Sequence, residues 1–442
     1  MHQESSPSLD AGRRFALAAS IFLSVSAMGY IQPYVPLYQA ACGLTKGQIG
    51  LVAGIGSATM LLLQPILGLL SDRVDARRPL MVVSSIVAGL AYFGFSRAHS
   101  FLAFLLLTIA GLNAVGYLNV AAGVIVGRIV DTPSMAGRAY AGYRVWGSIG
   151  YIIVALGTGL LLGHAGHTRL DRASLVSIFV YGPLTYLLVA LTSMWVPDPK
   201  RTELPLSANP SPLQGKGNPA RLFPALGRNA SPADPNDRNL RIFLIALFLY
   251  TFAMGGVLSY LSLFMQRLGE SPMWISSTFA VGVVSEVLVM VQIGRLSDRF
   301  GRRPALAVAF LALPVRLLLY IPATGALWIM AVHAMHGLNF GIMGAISVVF
   351  VNDLATDANR GTAQARLAAA QGLAAAFAPM AGGFLADRIG MGPMFASMAV
   401  VAAGAAVLFL TQVHESHPSP ESFAERCHPV LRPFARLLAA PR

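Results

Sequence analysis

The fold class this sequence predicts is an all-α membrane protein of twelve transmembrane helices, arranged as two pseudo-symmetric six-helix bundles. Three observations predict it. Of 442 residues, 55% are hydrophobic and only 12% are charged, about half the charged share of an average soluble chain. The apolar residues gather into runs of the length that crosses about 30 Å of hydrocarbon, which takes about 20 residues of helix. The sequence also matches itself at a shift of 226 positions, where Tyr34, Leu37, Gly43 and Ile49 fall on Tyr260, Leu263, Gly269 and Ile275.

The first span, 15–37, follows Arg13 and Arg14 as a signal peptide would. It runs on through Gly29, Pro33 and Pro36 to Tyr38 with no small-residue cleavage site, so it reads as a retained helix. Pro33 and Pro36 free carbonyls that allow this helix to bend. Five more spans follow at 48–70, 79–96, 101–126, 140–162 and 174–195, joined mostly by short connections, so consecutive helices are antiparallel neighbours. The stretch 197–238 is rich in Pro, Asn, Ser and Gly and has no helical period, which suits a flexible tether. The second set lies at 241–265, 274–294, 304–323, 327–350, 362–384 and 392–412. The domains expected are therefore a bundle at 1–196, a linker at 197–238, a bundle at 239–413 and a polar, Pro-broken tail at 414–442.

Lys and Arg set the orientation. With the N-terminus in the cytoplasm, the inside collects Arg13, Arg14, Arg73, Arg77, Arg78, Arg128, Arg138, Arg295 to Arg303, Arg360 and the tail. The outside keeps Lys46, Arg97, Arg169, Arg172, Arg267 and Arg388. The net charge of +13 is thus that of inside loops, with no aromatic–basic interleaving of a nucleic-acid module. Cys42 and Cys427 fall on opposite sides of the bilayer and cannot pair. No metal-ligand spacing, phosphate-binding glycine loop or nucleophile–base pair sits in a suitable context, so neither an enzyme nor direct nucleotide drive is expected.

The repeat extends to a motif. Gly68-x-x-x-Asp72-Arg73 falls on Gly294-x-x-x-Asp298-Arg299, and the strings continue as x-x-x-Arg77-Arg78 and, one residue shorter, x-Gly301-Arg302-Arg303. The pair resembles the helix 2–3 and helix 8–9 signature of the major facilitator superfamily. The first copy has Asp75 where the superfamily usually has Gly. The resemblance implies two parallel halves around one solute pathway, rocking between inward and outward access. It also implies a cytoplasmic latch at Asp72, Arg73, Asp298 and Arg299. A purely structural clamp is the alternative there. A third such string, Gly383-x-x-x-Asp387-Arg388, lies at the outer end of helix 11 and suggests a cap.

Charge inside a span is costly, so each case carries information. Glu286 is the one acid well inside a predicted helix, roughly 18 Å from the cytoplasmic end; Arg316 on the next helix reaches about the same height, and His336 on helix 10 stands roughly 21 Å up. If all face inward, they share one layer of the second half. Two readings follow: a proton site, in which a moving partner switches the carboxyl's protonation, or a static ion pair locking helices 8 and 9. The repeat mate of Glu286 is Met60, so charge chemistry belongs to the second half.

These segments are similar to the branch of the superfamily that contains phenylpropionate permease, nucleoside–proton symporters and lactose permease. Gly282-Val-Val-Ser-Glu286-Val resembles their helix 8, Arg316 their helix 9 arginine, and His336-Gly-Leu-Asn339-Phe-Gly341 their helix 10. The resemblance implies a proton-coupling role for Glu286, Arg316 and His336. Asn339 stands where lactose permease has an acid, and Gly344 where phenylpropionate-type proteins often have a second histidine, so coupling rests more heavily on Glu286.

Arg144-Val-Trp146-Gly147-Ser-Ile-Gly150 resembles the start of helix 5 in that branch, where the arginine contacts substrate. A guanidinium in a low-dielectric cavity suits a carboxylate, and Trp146 suits an aromatic or sugar ring. A snorkelling arginine and a packed tryptophan are the alternative. Tyr34, Tyr260, Asn113, Asn119 and Asn339 complete the candidate substrate-binding set, with Gln32, Tyr250 and Ser259 as weaker cavity-lining groups. The function implied is secondary active transport: a symporter importing a small organic solute with protons, acting as a monomer in the inner (cytoplasmic) membrane with both termini in the cytoplasm and no cofactor. A drug–proton antiporter is the first alternative. Helix 5 has Gly147, Gly150, Gly157 and Gly159 but lacks that group's proline, and a partial match, Ala378-Pro379-Met-Ala-Gly382-Gly383, lies in helix 11. A membrane receptor that no longer transports is the alternative of another class.

Overall fold

In lipid a backbone satisfies its polar groups only as helices or closed barrels, and the computed structural model is helical through most of its described residues. It describes residues 11–74, 77–129, 136–164, 170–198, 235–356 and 359–416, with no strand among them. The helices are α1 Gly12–Ala41, α2 Lys46–Val74, α3 Arg77–Phe95, α4 Phe101–Ile129, α5 Ala136–His164 and α6 Arg172–Ser193. They continue as α7 Asn236–Arg267, α8 Pro272–Phe300, α9 Arg302–Leu319, α10 Ala326–Leu354, α11 Arg360–Arg388 and α12 Met391–Gln412. Eleven are apolar spans by length and composition. α9 is not among them, having Arg302, Arg303 and Arg316 in its 18 residues, yet it still covers about 27 Å.

The helices overrun the apolar windows. α2 continues to Val74 and α8 to Phe300, so most of each Gly-x-x-x-Asp-Arg string is the last turns of a helix rather than a loop. Gly301 then turns the chain with φ +100°, a conformation that favours glycine. Asp75 and most of the linker and tail lie outside the described residues. α1 is interrupted at Ala27 and runs unbroken through Pro33 and Pro36, α6 breaks at Gly182-Pro183, and α7 at Ser259–Tyr260.

The chain forms two compact units. The first comprises Met1–Leu206 with Met265–Ala280, the second Ser207–Phe264 with Val281–Arg442. Each has its own aromatic core. In the first, Phe95 meets Phe104 edge-on at 5.3 Å and stacks on Phe179 at 5.4 Å. In the second, Phe310 stacks on Phe409 at 4.3 Å, and Phe243 meets Phe350 at 4.7 Å.

Small residues let helices approach closely in lipid, and the repeat preserves this. A Cβ on Gly29 of α1 would stand 2.6 Å from the Tyr151 carbonyl of α5. Its repeat mate Gly255 and the adjacent Gly256 do the same for α7 and α11: a Cβ on Gly382 would lie 2.4 Å from the Gly256 carbonyl.

Both units also share a closure at the start of their third helix. The first N–H groups of a helix lack intrahelical partners and favour an anion. In the first unit, Asp198, just past α6, accepts from the backbone N–H of Arg77 (3.3 Å) and Arg78 (3.1 Å). In the second, Glu415, just past α12, accepts from those of Arg302 (3.1 Å) and Arg303 (3.0 Å). The buried Arg303 side chain donates back to the carbonyls of Val413 and Leu410, both at 2.6 Å, near the end of α12.

Candidate functional site

Burying a charge in a helical bundle requires partners, and those of Arg316 identify a site within the second unit. α9 carries Arg316 and Tyr320 one turn apart, while α10 carries His333, His336 and Asn339. α10 is not regular there: after a turn at Ala334 it forms a π-helical segment, Gly337–Gly341. Such segments occur mostly as single turns inside α-helices. Two glycines allow it to press onto α8. A Cβ on Gly337 would stand 2.3 Å from the Ser285 carbonyl, and one on Gly341 3.1 Å from the Glu286 carbonyl. Ser285 Oγ accepts the Gly337 N–H at 3.0 Å and donates to the Gly282 carbonyl. The close approach brings His336 Nε2 to 3.8 Å from Glu286 Oε2.

Arg316 is 2% exposed and donates four hydrogen bonds. Nε reaches Tyr320 Oη at 3.0 Å, Nη1 reaches Asn339 Oδ1 at 3.2 Å, and Nη2 reaches His333 Nδ1 at 3.0 Å and His336 Nδ1 at 3.3 Å. All four acceptors are neutral, and no carboxylate among the described residues stands within ion-pair distance of it. The shell is itself anchored. Asn339 Nδ2 donates to the Ala309 carbonyl, Tyr250 donates to the Asn339 carbonyl, and the two imidazoles stack at 5.1 Å.

A guanidinium only donates, so each histidine presents its Nδ1 lone pair to Arg316 and carries its proton on Nε2. His336 therefore points an Nε2–H dipole at the Glu286 carboxyl, over a separation too long for a hydrogen bond. The His336 ring thus lies between an acid and a cation, and the Nδ1 lone pairs of both histidines are engaged by Arg316. The Glu286 side chain is 21% exposed, between the sealed Arg316 and open surface.

The structure thus brings together Glu286, Arg316, His336 and Asn339. Tyr320 and Ser285 were not among the sequence candidates. Tyr320 lies four residues after Arg316, a spacing that pairs side chains on one helix face. The role of Ser285 appears only with the π segment.

The other candidates lie elsewhere. Tyr34 is fully buried in the first unit and hydrogen-bonds the Pro272 carbonyl (3.0 Å) and Ser276 Oγ (2.7 Å). Tyr260 donates to the Pro379 carbonyl at 2.6 Å in the second. Asn113 donates to Thr59 Oγ1 and the Ile109 carbonyl, tying α4 to α2. Asn119 is exposed. Arg144 donates to Ser148 Oγ at 3.3 Å, one turn along α5, and Trp146 is 57% exposed. Asp298 pairs with Arg302, which also reaches Asp353 at 3.4 Å, and Arg299 lies over the Phe300 ring. Arg73 is exposed, and the Asp72 side chain lies outside the described residues. Arg366 pairs with Asp237 at 3.1 Å.

Comparison with known proteins follows the same architecture. The model of the MFS_1 like family matches residues 15–397. An uncharacterised MFS-type transporter of Mycobacterium tuberculosis is 24% identical over 403 residues, covering 87% of this chain and 89% of that protein. Maltose permease of Geobacillus stearothermophilus is 24% identical over 392 residues, covering 87% and 91%. Among solved structures, the nucleoside transporter NupG superposes with a TM-score of 0.70 at 15% identity, covering 90% of this chain and 98% of that one. A bacterial homologue of the human lysosomal transporter Spinster, inward-facing and unoccupied, gives 0.68 at 16%, covering 90% and 96%.

Proposed function

This chain belongs to the MFS_1 like family of multi-pass membrane transporters, and from that premise we propose that it is a proton-coupled symporter importing a small organic solute by alternating access. Glu286 carries the proton. Protonation removes the anion that His336 Nε2–H faces, and through the ring it changes what the buried Arg316 experiences. Arg316 and Asn339 hold the shell in register, so a change at Glu286 is felt on α8, α9 and α10 together. The protein works as a monomer in the inner membrane with both termini in the cytoplasm. Arg144 and Trp146 on α5 serve as substrate contacts, and the Asp298 and Arg299 turn with its counterpart at Asp72 and Arg73 serves as the cytoplasmic latch.

The observation that carries this reading is the Glu286–His336–Arg316 arrangement, a carboxyl and a buried guanidinium on either side of one imidazole. The test is uptake into proteoliposomes with an imposed pH gradient. Glu286→Gln is expected to abolish uphill accumulation while sparing solute exchange. Normal gradient-driven accumulation by that variant would refute the proposal.

A further inference from the structure

Hydroxyls in a membrane helix satisfy themselves by bonding to a carbonyl three or four residues back. This chain does so repeatedly: Ser26 to Phe22, Ser57 to Ala53, Ser85 to Met81, Thr158 to Val154 and Ser347 to Met343. Ser24, two residues before Ser26 on α1, does not. It is 5% exposed, and its Oγ has no hydrogen-bond partner among the described residues. Such an orphaned group costs about 1–3 kcal/mol unless something fills its place.

Ser24 lines a small cleft in the first unit, between α1, α3 and α4. The other walls are Ser20, Ile21, Val25, Met81, Leu118, Asn119 and Ala122. Ser20 is already engaged with Ser193 Oγ at 3.0 Å. Among the described residues, the polar groups left to the cleft are the Ser24 hydroxyl and the exposed Asn119 amide, and none of its lining side chains is charged. The interior admits a single water-sized group, which suits the tip of a ligand rather than the whole of one.

We infer that Ser24 and Asn119 form a subsite for a hydroxyl group of the transported solute, which makes that solute a hydroxylated molecule. A hydroxyl both donates and accepts, as Ser24 and the Asn119 amide do. A carboxylate or an ammonium seated here would lack a counter-charge in the lining, at a desolvation cost of several kcal/mol. This inference rests on the transport reading above and narrows it to a substrate class.

The test is thermal shift of the full-length protein with xylitol, glucose, uridine or benzoate. At least one of the three hydroxylated probes is expected to raise the melting temperature of the wild type, and benzoate, which has no hydroxyl, is expected to leave it unchanged. Ser24→Ala is expected to weaken binding of the stabilising probe about threefold to tenfold, whereas Ser26→Ala, which removes a hydroxyl bonded within its own helix, is expected to bind as the wild type does. Absence of stabilisation by all three hydroxylated probes, stabilisation by benzoate that Ser24→Ala weakens equally, or full affinity in Ser24→Ala would each overturn the inference. Uptake of the stabilising solute by Glu286→Gln separates the two claims: weakened binding in Ser24→Ala with undiminished uphill uptake by Glu286→Gln leaves the subsite standing and removes the proton reading.

Discussion

Arg316→Lys keeps the charge and removes the geometry. The guanidinium serves four acceptors on three residues of α10 and one of α9, at 3.0 to 3.3 Å. An ammonium has three donors radiating from one point in place of a planar fork, so the four bonds cannot all be kept; His333 Nδ1 retains the Tyr320 hydroxyl at 2.8 Å, which leaves Asn339 and His336 as the acceptors at risk. In a site where Arg316, Tyr320 and Asn339 are almost wholly buried, one unsatisfied acceptor costs about 1–3 kcal/mol. At about 2–4 °C per kcal/mol for a unit of this size, the melting temperature falls by roughly 2–12 °C. The assay is thermal unfolding of detergent-purified protein followed by tryptophan fluorescence. Arg241→Lys serves as the control, since Arg241 pairs with Asp237 while more than half exposed, and a change of this kind stays within about 0.5 kcal/mol. If Arg316→Lys melts with the wild type, or no lower than Arg241→Lys, the claim that Arg316 organises this shell is wrong.

Three further outcomes are expected. Glu415→Ala and Asp198→Ala each remove the acceptor for two backbone N–H groups at a helix start, and each is expected to cost about 1–2 kcal/mol in the same melt. Gly337→Ala places a methyl against the Ser285 backbone and is expected to cost at least about 1–3 kcal/mol, with solute uptake falling further than stability because the His336–Glu286 approach opens. Arg366→Ala leaves Asp237 with Arg241, so uptake is expected to hold near wild type, as befits a structural pair rather than a substrate contact.

Much of this architecture was legible in the residues. Hydropathy located the spans because it reports contact with lipid, and for the same reason it stopped short at α2 and α8, whose last turns are polar but still helical. Counting helical rise from the cytoplasmic end placed Glu286, Arg316 and His336 in one layer, and their side chains do meet. The rise gives height but not rotation, so it left unresolved that Tyr34 and Tyr260 end on proline carbonyls. The π segment was also hidden, because its cause is the packing of Gly337 onto Ser285, a contact distant in sequence. Asn339 stands where the resemblance places an acid, and in the structure its amide bridges Arg316 to the Ala309 carbonyl. That bridge helps explain how a cation is held here without a carboxylate beside it.

The most direct measurement is proton movement itself, read with pyranine inside proteoliposomes as solute enters down its own gradient. With wild-type protein the lumen is expected to acidify in step with solute entry, and with Glu286→Gln the solute is expected to exchange with no acidification. Equal acidification by the variant, or solute entry without any proton in the wild type, would contradict the account.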